Sequence, residues 1–284
     1  MTHAILSIQS WVAYGHVGNA SAVFPLQRLG AEVWAINTVQ FSNHTGYGAW
    51  RGQVFDAGLI RDCVEGIADR GVLGRCDAVL SGYMGSAAIG EAILDAAARV
   101  KAANPRAIWC CDPVIGDDDS GIYVRDGIPE FFRDRALPAA EIATPNQFEL
   151  EWLAGGAIAT LDAAKRAVAA LQARGPRRVL LTSLRIADTP ADAVEMLVGE
   201  GGGFWRIRTP LLPVAVNGAG DAIAALFLFH TLAGQDAAGA LAASASSIHG
   251  VLAATVAAGA REIQTVAAQQ EFVSPSQVFR PESC

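Results

Sequence analysis

Short apolar runs alternate with longer segments of helical periodicity along most of the chain, and this alternation is the strongest constraint on the fold. It predicts an α/β fold with a mostly parallel central sheet that is covered by helices on both faces. The predicted strands are 4–9, 32–40, 78–83, 107–113, 142–145, 178–184, 193–198 and 203–208, with a hairpin between the last two. The predicted helices are 19–29, 58–70, 90–103, 147–153, 162–174 and a helical region from 219 to about 259.

The composition supports one large core. Hydrophobic residues make up 52% of the 284 residues and charged residues 17%. No long linker or repeat divides the chain, so we expect a single domain over residues 1–284. The formal net charge of −7 gives no general attraction to nucleic acid or to an anionic membrane, and we expect neither as a partner.

Two further features bear on the cellular setting. The N-terminus lacks the charged and apolar regions of a signal peptide, and serines, a histidine and a glycine interrupt the apolar segment 236–259. We therefore expect a cytoplasmic protein in which that segment is a packed helix. The five cysteines form no CxxC pair, which argues against a disulfide framework or a zinc site. Adjacent Cys110 and Cys111 should point to opposite faces of a strand as buried structural residues.

Polar or glycine-rich clusters follow several of the predicted strands. They are Ser10, residues 43–48, Asp112, Asn146 and residues 218–221. Ligands of parallel α/β sheets bind at the carboxyl ends of the strands. We therefore expect these clusters to meet in one site.

The segment Asn217-Gly-Ala-Gly-Asp221 precedes a nearly continuous apolar run. Its glycines let successive N–H groups converge on an anion at the start of a helix. The structural alternative is that Asp221 only complements the helix dipole as a first-turn acid.

Asp112 follows a predicted strand, and Asn146 and Glu149 lie three residues apart at a predicted helix start. Oxygen ligands of this kind suit Mg²⁺, usually through its water shell. Helix capping by Asn146 with Glu149 explains the same spacing equally well.

Residues 10–19 and 41–48 mix hydroxyls, amides, aromatics and glycines after two predicted strands. Such a mixture suits a flat, polar aromatic substrate. The alternative is an ordinary pair of glycine-rich loops.

Seven segments of the chain, in family order, resemble the pyridoxal kinases of the ribokinase-like superfamily. The first is Ser7-Ile-Gln-Ser10 and the last is Gly218-Ala-Gly-Asp221. The others are Tyr14-Gly-His-Val-Gly-Asn19, Ser42-Asn-His-Thr-Gly-Tyr-Gly48, Ser81-Gly-Tyr-Met-Gly85, Cys111-Asp-Pro-Val-Ile-Gly116 and Thr144-Pro-Asn-Gln-Phe-Glu149. The resemblance implies a three-layer α-β-α sandwich and ATP-dependent phosphorylation of the 5′-hydroxymethyl group of pyridoxal in vitamin B6 salvage, with pyridoxine and pyridoxamine as further substrates. It also implies Mg²⁺, ATP as co-substrate and a homodimer, with a monovalent cation as a further candidate cofactor.

The resemblance also implies roles for individual residues. Asp221 is the expected base, in a catalytic turn completed by Gly218, Ala219 and Gly220. The expected substrate-binding residues are Ser10, Thr45, Gly46 and Tyr83, together with Asp221. Asp112 and Glu149 are the expected metal and nucleotide ligands. The remaining expected nucleotide-binding residues are Asn146, Tyr123, Thr182, Thr209, Pro210, Leu211 and Leu212.

Three positions depart from the family pattern. Ala219 stands where Thr or Val is usual, Thr182 stands where some relatives carry Lys, and Arg125 stands where Pro is frequent. Two alternative functions stay open. One is a hydroxymethylpyrimidine kinase, which shares the glycine-rich turn, and the other is a low-turnover carrier of pyridoxal or its phosphate.

Overall fold

A ten-stranded sheet forms the middle layer of the molecule in the computed structural model, which describes residues 2–284. The strands are β1 (Ala4–Val12), β2 (Glu32–Phe41), β3 (Gly52–Val54), β4 (Ala78–Ser81), β5 (Ile108–Cys111), β6 (Gly116–Asp117), β7 (Gly121–Ile122), β8 (Ile142–Ala143), β9 (Arg178–Leu184), β10 (Ala193–Glu200), β11 (Gly203–Pro210) and β12 (Glu282–Ser283). The order in the main sheet is β12-β11-β10-β9-β8-β5-β4-β1-β2-β3, and β6 pairs with β7 in a separate hairpin.

The centre of the sheet is parallel, as predicted. The strands from β9 through β8, β5, β4 and β1 to β2 pair in parallel, whereas the outer strands on both sides pair antiparallel. All carboxyl ends of the parallel strands therefore lie along one edge, where α/β proteins bind their ligands.

Helices cover both faces of the sheet. They are α1 (Asn19–Arg28), α2 (Ala57–Asp69), α3 (Ala87–Ala103), α4 (Ile128–Phe131), α5 (Leu137–Ala139), α6 (Gln147–Ala154), α7 (Leu161–Gln172), α8 (Ala219–Leu232), α9 (Ala237–Ala257) and α10 (Gln270–Val273), with a π-helical turn at Phe132–Ala136. One core contains buried residues of α2, α3, α6 and α7, and the other contains residues of α1, α8 and α9. The three-layer prediction is confirmed.

The β5 strand shows how the chain supplies both layers. Cys111 and Trp109 belong to the core under α3, while Cys110 belongs to the core under α8. Both cysteines are fully buried, and burial raises the pKa of both thiols. The prediction of structural cysteines on opposite faces therefore agrees with the structure.

Among residues 2–284, α9 is the one helix long and apolar enough to cross a membrane, and most of its apolar stretch is buried inside the protein. Leu241 and Ala245 pack into the core, and the hydroxyl of Ser244 donates to the carbonyl of Ala240. The helix is therefore a core element, as its interrupted apolar pattern predicted.

Several elements differ from the sequence prediction. The helical region from 219 to 259 is two helices, because Gly234 adopts a left-handed φ of 85° and Asp236 caps the second helix through its side chain. The sequence did not predict strands β3, β6, β7 and β12, helix α10 or the helical turns between 128 and 139. Most of these elements are too short to establish a periodic pattern.

Candidate active site

A cleft of about 720 Å³ opens at the carboxyl edge of the parallel strands. Most of the residues predicted for the site line this cleft. They are Ser10, Thr45, Gly46, Tyr83, Asp112, Tyr123, Asn146, Glu149, Thr182, Gly218, Ala219, Gly220 and Asp221. Four predicted nucleotide-binding residues, Thr209, Pro210, Leu211 and Leu212, do not line it, since they lie at the end of β11 and just beyond.

The turn at the start of α8 requires glycine. Gly218 has a φ of 87°, and a Cβ atom there would overlap the carbonyl oxygen of His16. The hydroxyl of Ser21 donates to the Gly218 carbonyl at 2.7 Å, which fixes the turn against α1. The N–H of Ala222 begins the helical ladder by donating to Gly218. The amides of Ala219 and Gly220 before it are therefore available to an anion in the cleft.

Asp221 lies in the first turn of α8 with its carboxylate accessible from the cleft. Burial raises the pKa of this carboxyl to about 6, against the opposing effect of the N–H groups of Gly18 and of Asp221 itself. The raised pKa means that the site as a whole disfavours the charged form of Asp221. A favourable interaction with the helix dipole therefore does not explain why this acid is there. A carboxylate with a raised pKa is a better proton acceptor than an ordinary aspartate.

Asp112 and Glu149 are buried residues that line the same cleft. The hydroxyl of Thr144 donates to Asp112 Oδ1 at 2.7 Å. Burial, and then the charge of Asp221, raise the pKa of Asp112 to about 7 despite that hydrogen bond. Burial and the charge of Asp112 likewise raise the pKa of Glu149.

The capping alternative for Asn146 and Glu149 also holds. Asn146 Oδ1 accepts from the N–H of Glu149 at 2.8 Å, and Glu149 Oε2 accepts from the N–H of Asn146 at 2.9 Å. Glu149 Oε1 accepts from the N–H of Ile115 at 2.9 Å. Each carboxylate oxygen nevertheless has a second acceptor site, so capping does not exclude a metal.

The donor set fits Mg²⁺ in particular. No lysine or arginine lines the cleft within residues 2–284, so hydrogen bonds and not basic side chains oppose the mutual repulsion of Asp112, Glu149 and Asp221. No cluster of three or more metal-binding side chains occurs in the same residues. Mg²⁺ is held by one or two carboxylates with waters and substrate phosphates rather than by a protein cage. Asp112 and Glu149 would be those carboxylates.

The ends of β1 and β2 supply an apolar part of the cleft. Val12, Val17 and Phe41 pack in one cluster beside Tyr83. The Tyr83 carbonyl accepts from the hydroxyl of Thr38 at 2.7 Å, which fixes the backbone there. Apolar walls with a few hydroxyls suit a small aromatic ligand.

The β6–β7 hairpin also lines the cleft, through Asp117 and Ser120. Asp117 Oδ1 accepts from the N–H of Ser120 at 2.7 Å and shapes the hairpin turn, so the acidic run 117–119 is mainly a loop. Asn146 Nδ2 donates to the Gly116 carbonyl at 2.8 Å and attaches the hairpin to the acidic side of the cleft. Tyr123 follows the hairpin with half of its surface exposed.

Several residues that line the cleft received no individual role from the sequence, although Val12, Phe41 and His44 lie in the segments 10–19 and 41–48 that were expected to suit an aromatic substrate. Val12 and Phe41 end neighbouring parallel strands, and their positions could have indicated them. Ser183 has a left-handed φ of 53°, which no residue-type signal in the sequence indicates. His44 lines the cleft beside Thr45, and burial lowers its pKa, which favours the neutral imidazole.

Comparisons with known proteins agree with this geometry. A family model described as phosphomethylpyrimidine kinase matches residues 33–266. The pyridoxal kinase PdxY of Granulibacter bethesdensis is 65% identical over 99% of both chains. The PdxY of Deinococcus radiodurans is 54% identical over 98% of this chain and 95% of its own. The pyridoxal kinase of Leishmania donovani in complex with ADP and pyridoxine superposes with a TM-score of 0.92, at 29% identity over 99% of both chains.

The fold and the cleft thus define a ribokinase-like kinase, an enzyme that transfers phosphate to an alcohol. Within that class the full-length similarity is decisive. The chain belongs to the pyridoxal kinase family.

Proposed function

We propose that the protein transfers the γ-phosphate of ATP to the 5′-hydroxymethyl group of pyridoxal, with pyridoxine and pyridoxamine as further acceptors. The observation that carries the proposal is the position of Asp221. Its carboxylate lies in the same first turn of α8 as Ala219 and Gly220, and it lines the cleft together with the apolar cluster that contains Val12 and Phe41. One cleft therefore combines a base, an anion-binding helix start and apolar walls that suit an aromatic alcohol.

In the proposed reaction, Asp221 accepts the proton of the substrate hydroxyl. The hydroxyl oxygen forms a bond to the γ-phosphorus while the bond from that phosphorus to the β-phosphate oxygen breaks, and ADP leaves. The amides of Ala219 and Gly220 donate to the transferring phosphoryl oxygens. Asp112 and Glu149 would hold Mg²⁺, which when bound would supply positive charge that stabilises the phosphates of ATP.

Positive charge is needed because several acids line the cleft and no lysine or arginine among residues 2–284 does. Two like unit charges about 4 Å apart repel by about 4 kcal/mol at an effective dielectric constant of about 20. Asp112 and Asp221 already repel each other before the nucleotide binds, and the phosphates of ATP add further negative charge. We therefore propose that turnover depends on Mg²⁺, and that a monovalent cation is a further cofactor to be tested.

Thr209 to Leu212 remain our proposal for the adenine side. They do not line the cleft, but Leu211 is exposed where β11 ends. The test is ATP affinity in Leu211→Ala, which should decrease while the KM for pyridoxal stays unchanged.

A hydroxymethylpyrimidine kinase is the second candidate function, because the matching family model carries the description phosphomethylpyrimidine kinase. A low-turnover carrier is the third, since Ala219 removes a hydroxyl from the turn.

One steady-state assay separates the three functions. ADP release would be followed with Mg-ATP and, in turn, pyridoxal, pyridoxine, pyridoxamine and hydroxymethylpyrimidine. We expect multiple turnovers, with the highest kcat/KM for pyridoxal. A preference for hydroxymethylpyrimidine would support the second function, and stoichiometric aldehyde binding without turnover would support the third.

We further propose a single-domain, cytoplasmic homodimer. The main sheet uses strands from Ala4 to Ser283, which supports one domain. The dimer is supported by the frequency of two-fold assemblies among soluble enzymes, and sedimentation of the purified protein would test it.

A further inference from the structure

A carboxylate from the C-terminal part of the chain joins the two loops that form the substrate end of the cleft. We call residues 13–18 the first substrate loop and residues 42–51 the second. Glu262 Oε2 accepts from the backbone N–H of His16 in the first loop at 3.1 Å, and Glu262 Oε1 accepts from the phenol of Tyr47 in the second. These partners lie 246 and 215 positions away in the sequence.

The surroundings fit this carboxylate closely. Gly15 has a φ of 98°, and a Cβ atom there would overlap the Glu262 carboxylate, so the first loop needs glycine at this position. The guanidinium of Arg261 lies 4.7 Å from the centre of the Tyr47 ring. Arg261 and Glu262 thus contact the same tyrosine, one on its face and the other at its hydroxyl.

Both loops supply walls of the cleft. Val17 belongs to the first loop, and His44, Thr45 and Gly46 belong to the second. Glu262 itself does not line the cleft. Any effect of Glu262 on the substrate therefore passes through the loops.

We propose that Glu262 is a positioning residue that holds the two substrate loops together and thereby sets the affinity for pyridoxal. The proposal rests on the function proposed above. The acidic side of the cleft, which includes Asp112 and Glu149, has no contact with Glu262 among the hydrogen bonds of residues 2–284. The effect should therefore fall on pyridoxal and not on ATP.

The choice of variants follows from the hydrogen bonds. Glu262→Ala removes both contacts. Glu262→Gln can keep both, because its carbonyl accepts from His16 while its amide donates to the Tyr47 hydroxyl, which can also accept. Tyr47→Phe removes one contact. Gln264→Ala is the matched control, since Gln264 donates to the Glu262 backbone carbonyl at 3.0 Å in the same segment.

The experiment measures KM for pyridoxal, KM for ATP and kcat for each variant. We expect the KM for pyridoxal to rise about tenfold or more in Glu262→Ala, because two hydrogen bonds to a charged group are lost. The KM for ATP and kcat should stay within about threefold, a split that distinguishes positioning from general destabilisation. Glu262→Gln should restore most of the affinity, and adding Tyr47→Phe to Glu262→Ala should cause little further loss.

A second measurement does not depend on turnover. Arg51 is exposed at the end of the second loop, so trypsin should cleave there faster in Glu262→Ala than in the wild type or in Gln264→Ala. An unchanged KM for pyridoxal, or equal rises of both KM values, would overturn the proposal. If the wild type did not turn over pyridoxal, the proposed function would fail, and an unchanged tryptic rate would then overturn the role of Glu262 separately.

Discussion

Two buried glutamates in this molecule have opposite surroundings. Glu195 on β10 is fully buried, and the Arg208 guanidinium lies 2.5 Å from its carboxylate, with that of Arg206 at 3.7 Å. Glu149 is also buried, but its hydrogen-bond partners are backbone N–H groups. The charge that affects its pKa is that of another acid, Asp112.

The difference distinguishes structural acids from functional ones. The charge of Glu195 is balanced within the fold, so it needs no ligand. Three acids of the cleft, Asp112, Glu149 and Asp221, have no lysine or arginine beside them in the cleft lining within residues 2–284, and their raised pKa values express that cost. Perturbed carboxyls of this kind cluster at functional sites, where a bound cation or a proton compensates them. Each prediction below tests one side of this contrast.

The largest effect should follow from removing the proposed base. Asp221→Asn should reduce kcat by about 10²–10⁴, the usual contribution of a general base, while the KM for ATP changes little. Single-turnover and steady-state kinetics would measure this. Asp119→Asn, which removes an exposed acid outside the cleft, is the control. If Asp221→Asn kept most of its turnover, the base would have to be another group.

For the structural acid, Glu195→Gln should lower the free energy of unfolding and leave kcat unchanged. Its loss leaves Arg206 and Arg208 without their buried partner. Because the two arginine side chains are 17% and 40% exposed, the loss should be about 1–3 kcal/mol, smaller than for a fully buried pair. Urea unfolding at pH 7.5 would measure it. A large loss of kcat at 25 °C in a still folded variant would place Glu195 among the functional acids.

Removing a cleft acid should change stability in the other direction. The folded-state pKa of Asp221 is about 6, above its ordinary value of 3.8. The charged form therefore destabilises the fold, a cost that is absent below the ordinary pKa and complete above about pH 6. Without nucleotide or metal, Asp221→Asn should gain on the order of 1–2 kcal/mol at pH 8 and almost nothing at pH 4. Thermal unfolding at both pH values measures this, and an equal change at both would contradict the electrostatic explanation.

The smallest effect concerns the anion site beside these acids. Ala219→Thr adds a hydroxyl that can donate to phosphate, and we expect kcat/KM to rise by up to about tenfold, the lower range for one hydrogen bond to a charged group. Ala219→Val is the matched control because it adds similar bulk without a donor. Equal effects of the two substitutions would mean that bulk, and not hydrogen bonding, governs this position.

Much of the fold and the acids of the cleft could be predicted because the sequence signals for them are local. The alternating pattern predicted the parallel sheet, and the carboxyl ends of parallel strands must share one edge. Asp112, Glu149 and Asp221 follow from that rule, since each stands within a few residues of a strand end or at a helix start. Glycine at 218 is likewise a local signal, which the φ of 87° explains.

The sequence by itself therefore determined the class of fold, the cleft acids and, through its motifs, the family. Only the tertiary structure decided which charges are compensated and which loops are joined. Arg208 meets Glu195 because β10 and β11 pair in one register, and Glu262 meets His16 and Tyr47 because the segment after α9 returns to the substrate loops. Such contacts leave no periodic or spacing signal in one sequence, because they depend on packing between segments that are far apart along the chain.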